Sequence, residues 1–320
     1  MKNYTNLLDI ENLQELIEEA LQLKKENSAA DAGKGKTLGM LFFNPSLRTR
    51  LSTEKAAKLL GMEVMVMNAD KDGWALEFED GAVMDSNKAE HIKEAAAVLS
   101  QYCDIIAVRA FPGLEDREKD EAELVLNSFQ KYASVPVVNL ESATAHPLQA
   151  LTDAITISEL KKVKRPKVVL TWAPHPRALP QSVPNSFVDV MQRADVDLVI
   201  TNPEGYDLNS KITKDTPVIH DQEEALKDAD FVYVKNWSSY EDYGKILSDD
   251  RSWTFSQEKL AVTNNAKVMH CLPVRRNVVI DDTVLDCGNS VVIHQANNRT
   301  FAAQAVLRRL LIPATTQVAE

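Results

Sequence analysis

Within the segment Asn44-Pro45-Ser46-Leu47-Arg48-Thr49-Arg50, four side chains could grip one anion. Ser46 and Thr49 carry hydroxyl donors. Arg48 and Arg50 carry guanidiniums, which bind phosphate or carboxylate oxygens in pairs. The segment follows an apolar run, Leu38 to Phe43, and precedes a helix-forming run, Leu51 to Leu60. Asn44-Pro45 predicts a helix start at this corner. A helix N-terminus adds unpaired backbone N–H groups and a positive dipole end. Hydroxyls, guanidiniums and a helix start at one strand end therefore predict a phosphate or carboxylate site, where a lone Ser-x-Arg would read as a surface cap.

Two further groups fall at strand ends. Arg109 closes the run Asp104 to Arg109. Thr144-Ala145-His146-Pro147-Leu148-Gln149 follows Val135 to Asn139, so His146 and Gln149 lie three residues apart across a helix start and can face one ligand. Singly, Arg109 reads as a surface ion pair and His146 as a capping group. Together they add polarising groups to a hydroxyl-rich anion site.

The elements that must position these residues alternate along the chain. Strands are predicted at Leu38–Phe43, Glu63–Met67, Asp104–Arg109, Val135–Asn139, Lys167–Trp172, Asp197–Thr201, Asp230–Lys235, Lys267–Cys271 and Ser290–His294. Helices are predicted at Glu54–Leu60, Lys88–Gln101, Glu118–Tyr132, Leu148–Leu160, Ser182–Ala194 and Glu223–Lys227. This is an α/β pattern of two doubly wound parallel sheets, one on each side of about residue 150. The expected domains are 1–150 and 151–297, with a C-terminal helix from about 298 to 320 returning to the first. In open parallel sheets, ligands bind beyond the carboxyl ends of the strands, where the residues above fall.

Composition narrows the class. The 320 residues suffice for two ordinary domains, and a net charge of −11 argues against general nucleic-acid binding. No apolar run approaches a membrane span, and Met1-Lys2-Asn3-Tyr4 lacks a signal-peptide core. Cys103, Cys271 and Cys287 are odd in number and show no metal-ligand spacing, which favours a reducing cytoplasm. Gly33-Lys34-Gly35-Lys36-Thr37 imitates the end of a P-loop, but Ala30 stands where its upstream glycine belongs and a strand follows it. No Gly-x-Gly-x-x-Gly follows a predicted strand, so no nicotinamide cofactor is expected, nor any metal.

Ser46-Leu47-Arg48-Thr49-Arg50 and His146-Pro147-Leu148-Gln149 resemble the carbamoyl phosphate motifs of the aspartate and ornithine carbamoyltransferase superfamily. His270-Cys271-Leu272-Pro273 resembles its ornithine branch, and Asn298-Arg299 its final phosphate motif. The likeness runs from about Leu38 to Leu311. It implies transfer of a carbamoyl group from carbamoyl phosphate to an amine, without metal or covalent intermediate. By similarity Ser46, the Leu47 backbone, Arg48 and Thr49 hold the phosphate. Arg109 and His146 bridge phosphate and carbonyl oxygen, Gln149 meets the carbamoyl amino group, and Arg299 completes the site.

The second half departs from plain ornithine enzymes. Where those carry an Asp-x-x-x-Ser-Met-Gly segment, this chain reads Val234-Lys235-Asn236-Trp237-Ser238-Ser239-Tyr240. Lys235 would repel a free α-ammonium but suits a carboxylate or a blocked nitrogen; its alternative is a lysine snorkelling from a strand end. With Trp172-Ala173-Pro174-His175-Pro176-Arg177 and Pro273-Val274-Arg275-Arg276-Asn277, this resembles the branch acting on N-acylated ornithine. The likeness assigns Glu141, His175, Lys235, Cys271, Leu272 and Arg275 to the amino-acid substrate. It also implies a homotrimer in which the long acidic loop Asn68–Asn87 carries Trp74 onto a neighbour's carbamoyl phosphate. Trp74 is expected to be buried, on its own domain or on that neighbour. Ala89, taken as the start of the next helix, matches a selectivity position that is glutamate in acetyl-type members, so alanine favours succinyl; the register that puts Glu90 there reverses the choice. The alternatives are an acetyl-type enzyme, an enzyme for free ornithine or another amine, and an inactive paralogue serving as a binding protein.

Overall fold

The computed structural model describes residues 1–26 and 31–312. Ala30 and the tail 313–320 of the expected C-terminal helix lie outside the described residues. The chain divides into two compact units. The first comprises Met1–Pro112, Glu118–Leu148 and the chain from Arg299 onward; the second comprises Gly113–Arg117 and Gln149–Asn298.

Unit 1 is built on strands β1 (Thr37–Phe42), β2 (Glu63–Asn68), β5 (Ile105–Arg109) and β6 (Val137–Glu141), with β3 (Leu76–Glu77) and β4 (Glu90–His91) forming a separate small ladder. The four-stranded sheet runs β2-β1-β5-β6 and is parallel throughout. The strands of β5 and β6 are buried along their whole length, as a sheet covered on both faces requires. Unit 2 holds β7 (Lys167–Trp172), β8 (Asp197–Thr201), β9 (Val218–Ile219), β10 (Phe231–Lys235) and β11 (Lys267–Met269) in the parallel order β11-β10-β7-β8-β9. Each sheet has one switch point, between β1 and β5 and between β7 and β10. The residues that follow these strands therefore face the crevices where ligands of such sheets bind.

The predicted strand Ser290–His294 is not formed. Ser290 makes one bridge to Val268, and a helix runs from Val292 to Leu311. Val291-Val292-Ile293 is β-branched, but packing as the first turn of a long helix overrides that preference. The predicted helix Glu118–Tyr132 is two helices, Arg117–Glu121 and Leu124–Tyr132, parted by Glu123 in the left-handed region. The helix expected from Lys88 begins at Ile92, with the His91 ring capping the Lys93 N–H. Ala89 is thus no helix residue; its N–H donates to the Ala75 carbonyl beside the β3–β4 ladder. The Asn68–Asn87 stretch is not structureless either, holding a turn of helix at Ala69–Asp72 and β3. The amphipathic helix Leu13–Glu26 and the short β9 were not anticipated.

The candidate active site

Phe42 ends β1, and Asn44 and Pro45 carry the chain to the Arg48–Leu59 helix. Leu47, at the cap position, makes no side-chain cap bond. The backbone of this corner is held from β5 instead. Arg109, only 6% exposed, donates from Nη1 to the Asn44 carbonyl at 3.0 Å and the Pro45 carbonyl at 2.7 Å. Asn44 answers with its side chain, whose Oδ1 accepts from the Phe111 N–H at 2.6 Å. The guanidinium stacks 4.0 Å over the Phe111 ring, and its Nη2 donates to Glu141 Oε2 at 3.1 Å. Burial depresses the Arg109 pKa, against the opposing pull of Glu141. An arginine remains charged through such a shift. Its buried Nε makes no hydrogen bond to another protein group.

Glu141 ends β6. His146, 3% exposed, places Nε2 3.6 Å from Glu141 Oε2. Sequence reasoning assigned Glu141 to the amino-acid substrate; within unit 1 it lies between Arg109 and His146. From the C-terminal helix, Arg299 donates from Nη2 to Thr49 Oγ1 at 2.7 Å, joining residues 250 apart in sequence. Unit 1 therefore assembles Thr49, Arg109, Glu141, His146 and Arg299 around the carboxyl ends of β1, β5 and β6. Ser46 and Arg48 are partly exposed at the same helix start, and Leu47 is exposed. Gln149 lies in the first turn of the Pro147–Leu160 helix, where its amide donates to Asp153 Oδ1 at 2.7 Å.

Unit 2 gathers a cationic group at the ends of β7 and β10. Lys235, 6% exposed, is the last residue of β10. His175 follows β7, and its Nε2 accepts from Arg275 Nε at 3.1 Å while Nδ1 meets the Arg177 carbonyl at 2.8 Å. A ring nitrogen that accepts from a guanidinium carries no proton, so this imidazole is neutral. Burial, the first cause, and the Arg275, Lys235 and Arg177 cations lower the His175 pKa, while the Arg177 carbonyl opposes them. Arg276, next in sequence, instead grips Asp282 and Asp286. Cys271 and Leu272 follow β11, where Leu272 N–H donates to His270 Nδ1 at 2.8 Å.

Trp74 and Ala89 lie together on unit 1, and Trp74 is 61% exposed, so the alternative of burial within its own domain is not taken. Its indole N–H is tied to Glu90 Oε2 at 2.8 Å. Two residues of consequence escaped the sequence reading. Asn44 was noted only as a turn former, although its carbonyl and side chain hold Arg109 and Phe111. Glu123 was placed inside a helix, yet its carboxylate gathers the loop before His146. The small donor-rich run Ser142-Ala143-Thr144 was the one signal that an acceptor had to come from elsewhere.

Residues 2–159 match the carbamoyl-P binding domain of aspartate/ornithine carbamoyltransferases, and residues 180–310 match their Asp/Orn binding domain. The chain belongs to the aspartate/ornithine carbamoyltransferase family. It is 51% identical to the N-succinylornithine carbamoyltransferase of Bacteroides thetaiotaomicron, over 97% of this chain and 99% of that one. It is 39% identical to the N-acetylornithine carbamoyltransferase of Xylella fastidiosa, over 89% and 91%. The solved acetylornithine transcarbamylase complexed with acetylcitrulline is 36% identical and superposes with a TM-score of 0.91, over 97% of this chain and 99% of that one. In this carbamoyltransferase, Thr49, Arg109, His146 and Arg299 are the polar and cationic side chains gathered at the strand ends of unit 1.

Proposed function

We propose that the protein transfers the carbamoyl group of carbamoyl phosphate to the side-chain amine of N-succinyl-L-ornithine, giving N-succinyl-L-citrulline and phosphate, a step of arginine biosynthesis. The corner formed by Arg109, His146, Thr49 and Arg299 is the observation that carries the chemistry. The Ser46–Thr49 helix start and Arg299 bind the phosphate. The neutral amine attacks the carbonyl carbon, forming a C–N bond. Charge grows on the carbonyl oxygen, which Arg109 and His146 stabilise, and Gln149 orients the carbamoyl amino group. The C–O bond to phosphate then breaks with its electron pair, and the leaving phosphate accepts the amine proton, so no separate base is required. Arg109 is fixed by two backbone carbonyls, and such anchoring is the preorganisation this stabilisation needs.

His175, Lys235 and Arg275, with Cys271 and Leu272 beside them, receive the acylated amino acid, and Glu141 stays on the substrate side of the corner. Cations at Lys235 and Arg275, with the neutral imidazole of His175 between hydrogen bonds, suit a substrate with more than one carboxylate, as succinylornithine has. Ala89 supports succinyl over acetyl. Alternation along an extended segment sends residues 89 and 90 to opposite faces, and Glu90 is engaged by Trp74. Solved variants of N-acetyl-L-ornithine transcarbamylase in which alanine, proline, valine or serine replaces one glutamate are complexed with N-succinyl-L-norvaline. A small uncharged residue accompanies a succinyl-bearing ligand in those proteins, and Ala89 supplies one here.

The exposed Trp74 supports a homotrimer in which each chain covers its neighbour's carbamoyl phosphate. No helix of the described residues is long and apolar enough to cross a membrane; we assign the enzyme to the cytoplasm. The test is phosphate release from carbamoyl phosphate with N-succinylornithine, N-acetylornithine, ornithine and aspartate in parallel. Turnover with none would leave a binding protein, and preference for another amine would replace the substrate named here.

A further inference from the structure

Glu123 stands between two helices of unit 1 in the left-handed region, with φ 49° and ψ 40°. A residue with a β-carbon holds that conformation only where its surroundings demand it. It occupies the cap position of the Leu124–Tyr132 helix, yet its side chain makes no cap bond there. The carboxylate turns to the loop joining β6 to the next helix. It accepts from Ser142 Oγ at 2.7 Å, Thr144 N at 2.7 Å, Thr144 Oγ1 at 2.6 Å and Ala143 N at 3.3 Å. Asn139 braces the same loop from within β6, its Nδ2 donating to Ser142 Oγ at 2.9 Å. The loop closes on itself through Ser142 N–H and the Ala145 carbonyl at 2.9 Å.

This loop has Glu141 at one end and His146 at the other. Its small residues have little bulk with which to fix a shape, so the donors set it, and most of those converge on one carboxylate. We infer that Glu123 is a positioning residue: it sets the loop that aims His146, and the inference rests on the carbamoyl transfer proposed above. Glu123 touches no reacting atom. Its loss leaves Thr49 and Arg299 to bind phosphate but lets the His146 ring drift from the carbonyl oxygen. A misplacement of about 1 Å in such a group costs roughly 100-fold in rate.

The test is a double-mutant cycle of Glu123→Ala and His146→Asn. Each protein is assayed for kcat and for KM toward carbamoyl phosphate, and its folded fraction is measured by thermal melting. The expected result for Glu123→Ala is a kcat lowered about 10- to 100-fold per folded molecule, with KM within about threefold. Placed in His146→Asn, the same change should cost less than about twofold more. Wild-type kcat per folded molecule, or a loss that adds in full to that of His146→Asn, would overturn the inference and return Glu123 to a purely structural role. Should Glu123→Ala not fold, Thr144→Val, which removes one donor, takes its place. A loss of about threefold or more, absorbed by His146→Asn, then supports the inference, and unchanged turnover overturns it. Wild-type turnover in His146→Asn itself would bring down the site reading, and this inference with it.

Discussion

The two cationic regions of the molecule are held in opposite ways. In unit 1, Arg109 is buried and anchored to the backbone carbonyls of Asn44 and Pro45. In unit 2, Arg275 is exposed and leans on the ring of His175. A guanidinium fixed by backbone cannot move without moving the loop, so it stands ready for charge that appears during reaction. One fixed by another side chain can re-aim for a ligand at little cost. The contrast separates a rigid corner suited to chemistry from an adjustable one suited to choosing the amino acid.

The largest effect should come from breaking the rigid corner. Arg109→Ala should lower kcat/KM by about 10²- to 10³-fold. It should also destabilise the protein by about 3–5 kcal/mol, because it strips Glu141 of its buried partner. Arg48→Ala, at the partly exposed end of the same corner, should weaken carbamoyl phosphate binding while leaving the melting temperature near wild type. Equal melting temperatures for the two variants would erase the distinction between anchored and free guanidiniums. A second test mixes chains. If Trp74 serves a neighbour's site, exchanging inactive Trp74→Ala with inactive His146→Ala chains should recover about a quarter of wild-type activity, as random pairing in a heterologous ring requires. No recovery despite demonstrated exchange would confine Trp74 to its own chain.

The next effect probes choice of substrate. Ala89→Glu should reduce the preference for succinyl over acetyl by about 2 kcal/mol, roughly 30-fold, through repulsion of the distal carboxylate. Competition assays with both substrates read this directly, and an unchanged ratio would move selectivity to other residues. The smallest effect concerns the adjustable corner. Because the His175 pKa is depressed below its ordinary 6.5, the unfolded chain binds more protons in the window below that value. Stability should therefore fall as pH drops through it. Arg275→Ala removes a cation that disfavours imidazolium, so the His175 pKa should rise toward 6.5, as imidazole NMR would show. A pKa that does not move would leave burial alone responsible.

Much of this was legible because strand ends and sites coincide in parallel sheets. Lys167–Trp172 and Asp197–Thr201 match their strands residue for residue, since apolar runs opened by a charged residue and followed two positions on by a proline leave little choice. Motifs alone single out Ser46, Thr49, Arg109, His146 and Arg299, and all five fall within unit 1. The failures share one cause, tertiary contacts that local pattern does not carry. Glu123 breaks a helix whose periodicity gives no hint of a break, because its carboxylate serves a loop about twenty residues onward. Val292 and Ile293 look like strand until the helix they begin is seen packed beside Asp153 and Glu159. The Leu13–Glu26 helix was readable, with Leu13, Leu16, Ile17, Ala20 and Leu23 on its buried stripe.

The bond from Arg299 to Thr49 has a consequence for how the chain comes into being. A ribosome delivers Thr49 early and Arg299 late, so the anion corner stays unfinished while almost all of unit 2 emerges. Unit 2, whose main segment is contiguous, can complete itself first, reversing the usual N-terminal-first order of synthesis-coupled folding. Nascent chains stalled before Arg299 would then carry every residue of the Ser46–Arg50 cradle and still lack the arginine that closes it.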